Sequence, residues 1–259
     1  MRYLLRQKAD NELPAIWCNS SATMTSFMEA VSFVTPVLEN FFISTVASAL
    51  KGQVDYPLAQ RCREFMREES DHSRAHNKFN ASVLRHMGKT PAALRWVQRL
   101  LTGSRKYLPL SGRLMLVAAL EHITCILSKA YLTTESRWQF HSAFAKELFG
   151  WHAKEELAHR ALAFDLCLSK VTFGSLGRTL AMLGVLLTGS LYIASAVPWI
   201  LYRKKGRSLL RTSMALAQFV VNRDERPPCI SILRHLFMFV RSTYHPDQLV
   251  GSERANEAK

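Results

Sequence analysis

No CxxC pair occurs in this sequence. Its five cysteines, at 18, 62, 125, 167 and 229, are odd in number and widely spaced. Three sit in apolar helical stretches, which suits reduced core thiols in a cytosolic protein. The first residues, MRYLLRQKADNELPAIW, hold no long apolar run, so no secretory signal is expected. Strand-type alternation and Asn-Gly hairpin signals are missing, which argues against a sheet. Acidic residues are few, 20 against 34 Lys and Arg, a net charge of +14. No zinc finger, RNP-like motif or arginine-rich reading helix accompanies that excess, and no nucleic-acid partner is expected. An anionic membrane surface or an acidic substrate remains.

What the sequence does hold is helix. Hydrophobic residues make up 48% of the chain, enough for a sizeable core. Helical periodicity predicts long helices over 22–51, 56–87, 110–134, 137–169, 172–204, 207–222 and 229–243, with a short one over 91–102. Turn signals at Gly52, HMGKTP, LTGSRKYLPLSG and RDERPP separate several of them. The expected organisation is an N-terminal segment (1–21), a four-helix metal-binding bundle (22–170), additional helices packing on the bundle or a membrane (171–245) and a loose tail (246–259).

The stretch GWHAKEELAHRALAFD, residues 150–165, carries an anomaly. At 3.6 residues per turn, His152, Glu156 and His159 fall on the stripe that should face inward. Charge buried without a partner is costly, so these groups need one. The second helix repeats the pattern, with Glu69, His72 and His76 on the stripe of Phe65 and Phe79. E-E-x-x-H thus occurs at 68–72 and at 155–159. The first and third helices each hold one isolated carboxylate, Glu39 and Glu121. A lone Glu followed some 30 residues later by E-x-x-H occurs twice, a weak internal repeat.

Four helices could bring four Glu and two His into one buried layer, the ligand pattern of ferritin-like dinuclear carboxylate bundles. The expected fold is therefore all-α: a ferritin-like four-helix bundle with additional C-terminal helices, one strongly hydrophobic. The expected metal ligands are Glu39, Glu69, His72, Glu121, Glu156 and His159. His76 and His152 are open between ligand and supporting residue. His122 and Asp165 read as supporting or structural, and Glu68 and Glu155 as off the inward stripe. The cofactor expectation is two metal ions, iron first, with manganese or zinc as alternatives. A zincin site is not expected, since Glu rather than His precedes each E-x-x-H.

The stretches TPVLENFF, EESDHSRAHNKFN, LVAALEHITCIL, WHAKEELAHRALAFDL and, more weakly, STYHPDQ span most of the chain. In them the sequence resembles a bacterial family labelled predicted metal-dependent hydrolases, related to ferritin-like bundles. The resemblance implies metal-dependent hydrolysis. It departs at Leu38, where the family pattern has Gly before the Glu.

Thr179–Tyr202 is a 24-residue run without a formal charge, followed by RKKGR. It is long enough to span a bilayer. A single span would separate the basic cluster from the bundle, although the positive-inside tendency draws both to the cytoplasm. The expectation is a cytoplasmic protein whose fifth helix is buried or rests on the inner membrane face, with 179–211 as the contact. Three activities fit the residues. The first is O2 activation by a di-iron centre on an apolar or lipid-like substrate: hydroxylation, desaturation or N-oxygenation. The second is hydrolysis by a metal-bridging water. The third is a non-enzymatic iron-binding role. Catalytic residues and oligomeric state are not legible.

Overall fold

The computed structural model describes residues 13–170, 174–206, 208–221, 236, 238–241 and 243–247. Among the described residues the α-helices are α1 (Ala22–Ala49), α2 (Tyr56–Met87), α3 (Ala92–Tyr107), α4 (Leu110–Thr133), α5 (Ala143–His159), α6 (Leu162–Lys170), α7 (Ser175–Lys205) and α8 (Leu209–Val221). The helix expected over 229–243 lies largely outside the described residues.

Local chemistry sets the helix ends. Ser21 caps α1 by accepting from Met24 N, and Asp55 caps α2 by accepting from Leu58 N. Helix α2 stops at Gly88, whose φ of 74° is left-handed backbone that favours glycine. The helix expected over 137–169 is not continuous. Residues 138–142 are not helical, and Phe140 forms an isolated antiparallel bridge with Cys18. Helix α5 starts only after Ser142 accepts from Ala145 N. It ends at His159, because Arg160 turns its guanidinium onto the Leu157 carbonyl, 2.6 Å away. A side chain inserted into the ladder is a recognised cause of helix breaks.

Helices α1, α2, α4 and α5 pack around a common interior. Two apolar clusters fill it. One holds Trp17, Phe33, Phe79 and Phe149; the other holds Phe41, Phe65, Leu114 and Leu166. Along α1 the chain passes from the first cluster to the second, and along α2 it passes back, so the two helices run antiparallel. Glu39 on α1, Glu69 and His72 on α2, and Glu156 and His159 on α5 all fall at the crossover. A polar layer is thereby sandwiched between two dry ones.

Helix α7 packs on α1 and α4. Tyr192 OH donates to the Ala30 carbonyl at 2.8 Å. At its end, Arg203 donates to the Met87 carbonyl, and Lys204 pairs with the fully buried Glu29. Trp17 Nε1–H donates to the same carboxylate at 2.9 Å. Arg203 and Lys204, at the start of RKKGR, thus tie α7 to α2 and α1. Helices α1, α4 and α7 are each long and apolar enough to cross a membrane.

Candidate metal centre

Glu39, Glu69, His72, Glu121, Glu156 and His159 come from four helices and are all at most 5% exposed. Their donor atoms form two clusters, Glu39 with His72 and His152, and Glu69 with Glu156 and His159. Within each cluster the ligand atoms lie within 4.8 Å of one another. Glu121 stands outside both clusters at that reach. Its two oxygens are nevertheless buried without a hydrogen-bond partner. The same is true of Glu39 Oε1, both Glu69 oxygens, Glu156 Oε2, His72 Nδ1 and His159 Nδ1. Buried polar atoms are almost always satisfied. So many orphaned acceptors aimed into one layer would be satisfied by bound cations, and the residues fit a metal pair.

The duplicated E-E-x-x-H finds its reason here. His72 Nε2–H donates to Glu155 Oε2, and His159 Nε2–H donates to Glu68 Oε2, both at 2.8 Å. Each motif's first Glu therefore holds the histidine of the other helix. Both imidazoles are left with Nδ1 facing inward: His72 Nδ1 is 3.6 Å from Glu69 Oε1, and His159 Nδ1 is 2.9 Å from the same atom. A carboxylate behind a histidine fixes its tautomer and raises its basicity as a ligand. Glu68 and Glu155 lie off the inward stripe of their own helices, as the sequence suggests, yet each supports a histidine of the candidate site. A one-helix stripe could not show it, because each points across to a neighbouring helix. Ser73 Oγ–H likewise steadies Glu39, donating to Oε2 at 2.7 Å and leaving Oε1 inward.

His76 and His152 take different parts. Asn80 Nδ2 donates to the Ser32 carbonyl (2.9 Å), which fixes the amide, so Ser32 Oγ–H must donate to Asn80 Oδ1 (2.7 Å). Ser32 Oγ then accepts from His76 Nδ1–H at 2.8 Å. His76 is fully buried, and burial, with His152 and His72 nearby, holds its pKa well below the ordinary value. In the resulting neutral ring Nε2 is bare and accepts from His152 Nδ1–H at 2.7 Å. His152 Nε2 is thus turned toward Glu156 Oε1, 2.8 Å away. Only a proton or a cation between them makes that contact favourable. His152 therefore reaches the candidate cluster with Glu39 and His72, and His76 lies behind it as its hydrogen-bond support.

Electrostatics agree. Burial, reinforced by the neighbouring carboxylates, raises Glu39 and Glu121 well above the ordinary carboxylate range. Burial would also raise Glu156, but His152, His72 and His159 outweigh it and bring it down to about 2. Burial would lower His159, yet Glu69, Glu156 and Glu68 carry it to about 9. Without metal, the layer takes up protons to balance its charge.

The chain belongs to the predicted metal-dependent hydrolase family. That family's sequence profile matches residues 4–249. No curated protein and no solved structure matches the chain. As a member of the hydrolase family it is a metal-dependent enzyme, and the buried Glu/His clusters are its candidate metal-binding groups.

An apolar cleft of about 130 Å³ opens beside the clusters of this hydrolase-family protein. His76, His152 and Glu156 line it, together with Phe27, Leu127, Tyr131 and Trp138. His122 and Asp165 lie apart from the clusters. Tyr244 OH and His122 Nδ1 are 3.2 Å apart, and His245 Nε2 donates to Asp165 at 2.9 Å. These contacts moor Tyr244 and His245.

Proposed function

We propose that the protein hydrolyses an ester- or amide-type bond of a largely apolar substrate. The carrying observation is the cleft, which runs from His152 and Glu156 into an aromatic and aliphatic wall. Its volume is below the ~300–1,000 Å³ of typical ligand pockets, which suits one narrow chain rather than a bulky ring system. Family membership supports hydrolysis over oxygen activation. Glu39, Glu69, Glu121, Glu156, His72, His152 and His159 would hold two metal ions, iron, manganese or zinc. Bound there, the ions would acidify a shared water and polarise the scissile bond. The protein's own part is to orient the imidazoles through Glu68, Glu155 and His76, and to exclude bulk water with the two apolar clusters.

The test is metal-free protein reloaded with zinc, manganese or, anaerobically, iron, and assayed on nitrophenyl esters of short and long acyl chains. Cleavage should require metal and favour the chains that fill the cleft. Ala153→Trp, at the cleft wall, should abolish that preference while metal content stays unchanged. A metal-loaded protein that cleaves no ester or amide overturns the proposal. The carboxylate-rich donor set favours a second reading, oxygen activation at iron. An oxygen-dependent optical band in the iron-loaded protein, without hydrolysis, selects it.

A further inference from the structure

Helix α7 is apolar on both sides. Its buried side presents Met182, Val185, Tyr192, Val197 and Ile200, all at most 9% exposed. Its outer side presents Leu176, Leu180, Leu183, Leu187 and Leu191, between 49% and 70% exposed. Steps of three and four residues put these leucines on one line. No charged residue interrupts the helix between Arg178 and Arg203. A helix facing water carries polar residues on that side; one that is apolar all round does not face water.

Charge shows what it faces. Helices α3 and α8 both pack on α7. Residues 72–120, which include α3, and 166–223, which include α7 and α8, contain no Asp or Glu and 17 Lys or Arg. The rest of the chain holds 17 basic and 20 acidic residues, so the entire positive excess resides in these two segments. On α3, Arg95, Arg99 and Lys106 are exposed beside Trp96 and Tyr107; on α8, Arg211 is exposed beside Leu210 and Met214.

We propose that the face built by α7 with α3 and α8 docks on an anionic membrane surface. The α7 leucines enter the acyl boundary, the arginines meet lipid phosphates, and Trp96 and Tyr107 sit at the interface level, where such rings are enriched. A second copy is a poor occupant, since it would bring two carboxylate-free basic surfaces together. A transmembrane placement of α7 is also disfavoured. Its inner side is committed to the bundle through Tyr192 and Lys204, so the helix lies along the surface. The proposal is independent of the reaction catalysed.

The full-length protein is tested by co-sedimentation with phosphatidylcholine vesicles, with and without roughly 30% phosphatidylglycerol. Binding should require the anionic lipid and fall about tenfold or more as salt rises from roughly 50 to 500 mM. Leu180→Gln/Leu183→Gln/Leu187→Gln should abolish it, and Arg95→Gln/Arg99→Gln/Lys106→Gln should weaken it, each with metal content and helicity unchanged. Protein that stays in the supernatant at low salt overturns the proposal. So does equal binding to neutral vesicles, or a dimer in light scattering that the leucine variant dissolves. Retention in natural membranes after alkaline carbonate, with release only by detergent, overturns it in favour of a span.

Discussion

His76 Nε2 lies 2.7 Å from His152 Nδ1, and this contact separates two histidines one turn from E-x-x-H motifs. His152 reaches the layer and His76 holds it there. His152→Ala should remove a ligand and empty or strongly weaken the cluster it shares with Glu39 and His72. His76→Ala should keep the metal but lower its affinity about 10–100-fold, the usual effect of losing an outer partner. Ser32→Ala should act in the same direction as His76→Ala. Metal titration of the three variants checks the order.

The crossed pairs His72–Glu155 and His159–Glu68 should separate the two clusters in solution. Glu155→Gln should weaken binding at the His72 cluster, and Glu68→Gln at the His159 cluster, each by about 10–100-fold. Because His152 supplies one cluster with an extra imidazole, wild-type protein should bind two ions in two resolvable steps. Calorimetric titration giving one unchanged step in both variants would show that the carboxylates do not orient the ligands.

Glu121 is buried with both oxygens unpartnered, yet outside the two tight clusters. Glu121→Ala should reduce metal content sharply, since it would remove one of the four buried carboxylates available to balance metal charge. Undiminished metal by elemental analysis would take Glu121 out of the site.

The protonated layer predicts a pH signature. His159, lifted from 6.5 to about 9, stabilises the metal-free fold fully below 6.5 and loses that contribution as pH rises through about 9. Glu39 and Glu121, raised in the fold, act in the same direction. Metal-free protein should therefore lose thermal stability from pH 6.5 to 9, and metal-loaded protein should lose much less. Metal uptake at neutral pH should release protons, measurable with an indicator dye in weak buffer.

Lys204 is the buried counter-ion of Glu29, and Trp17 completes the contact. Lys204→Met would leave Glu29 buried with only the indole, at a cost of about 3–5 kcal/mol. Chemical denaturation should show that loss, and Glu29→Gln in the same chain should restore part of it. No change on denaturation would mean that the pair does not clamp α7 to α1.

Much of the architecture is legible in periodicity alone. The bounds of α2 are marked by Asp55 with Pro57 at one end and Gly88 at the other. The inward stripe on α5 can be read because His152, Glu156 and His159 occupy positions that a core helix gives to apolar residues. The interruption after His159 is not legible, because it depends on Arg160 reaching a carbonyl of its own helix. Glu68 and Glu155 look like solvated neighbours of the true stripe, since spacing on one helix carries no information about the helix beside it. The structural role of Lys204 is hidden for the same reason: its partner lies 175 residues earlier in the chain. The sequence by itself determined most of the helices, the inward residue types and a carboxylate–imidazole chemistry suited to metal. Only the tertiary structure decided that each E-E-x-x-H holds the other's histidine, that His152 rather than His76 meets the layer, and that the α7 leucines face outward. Those assignments are contacts between distant segments, and they exist only once the helices are packed.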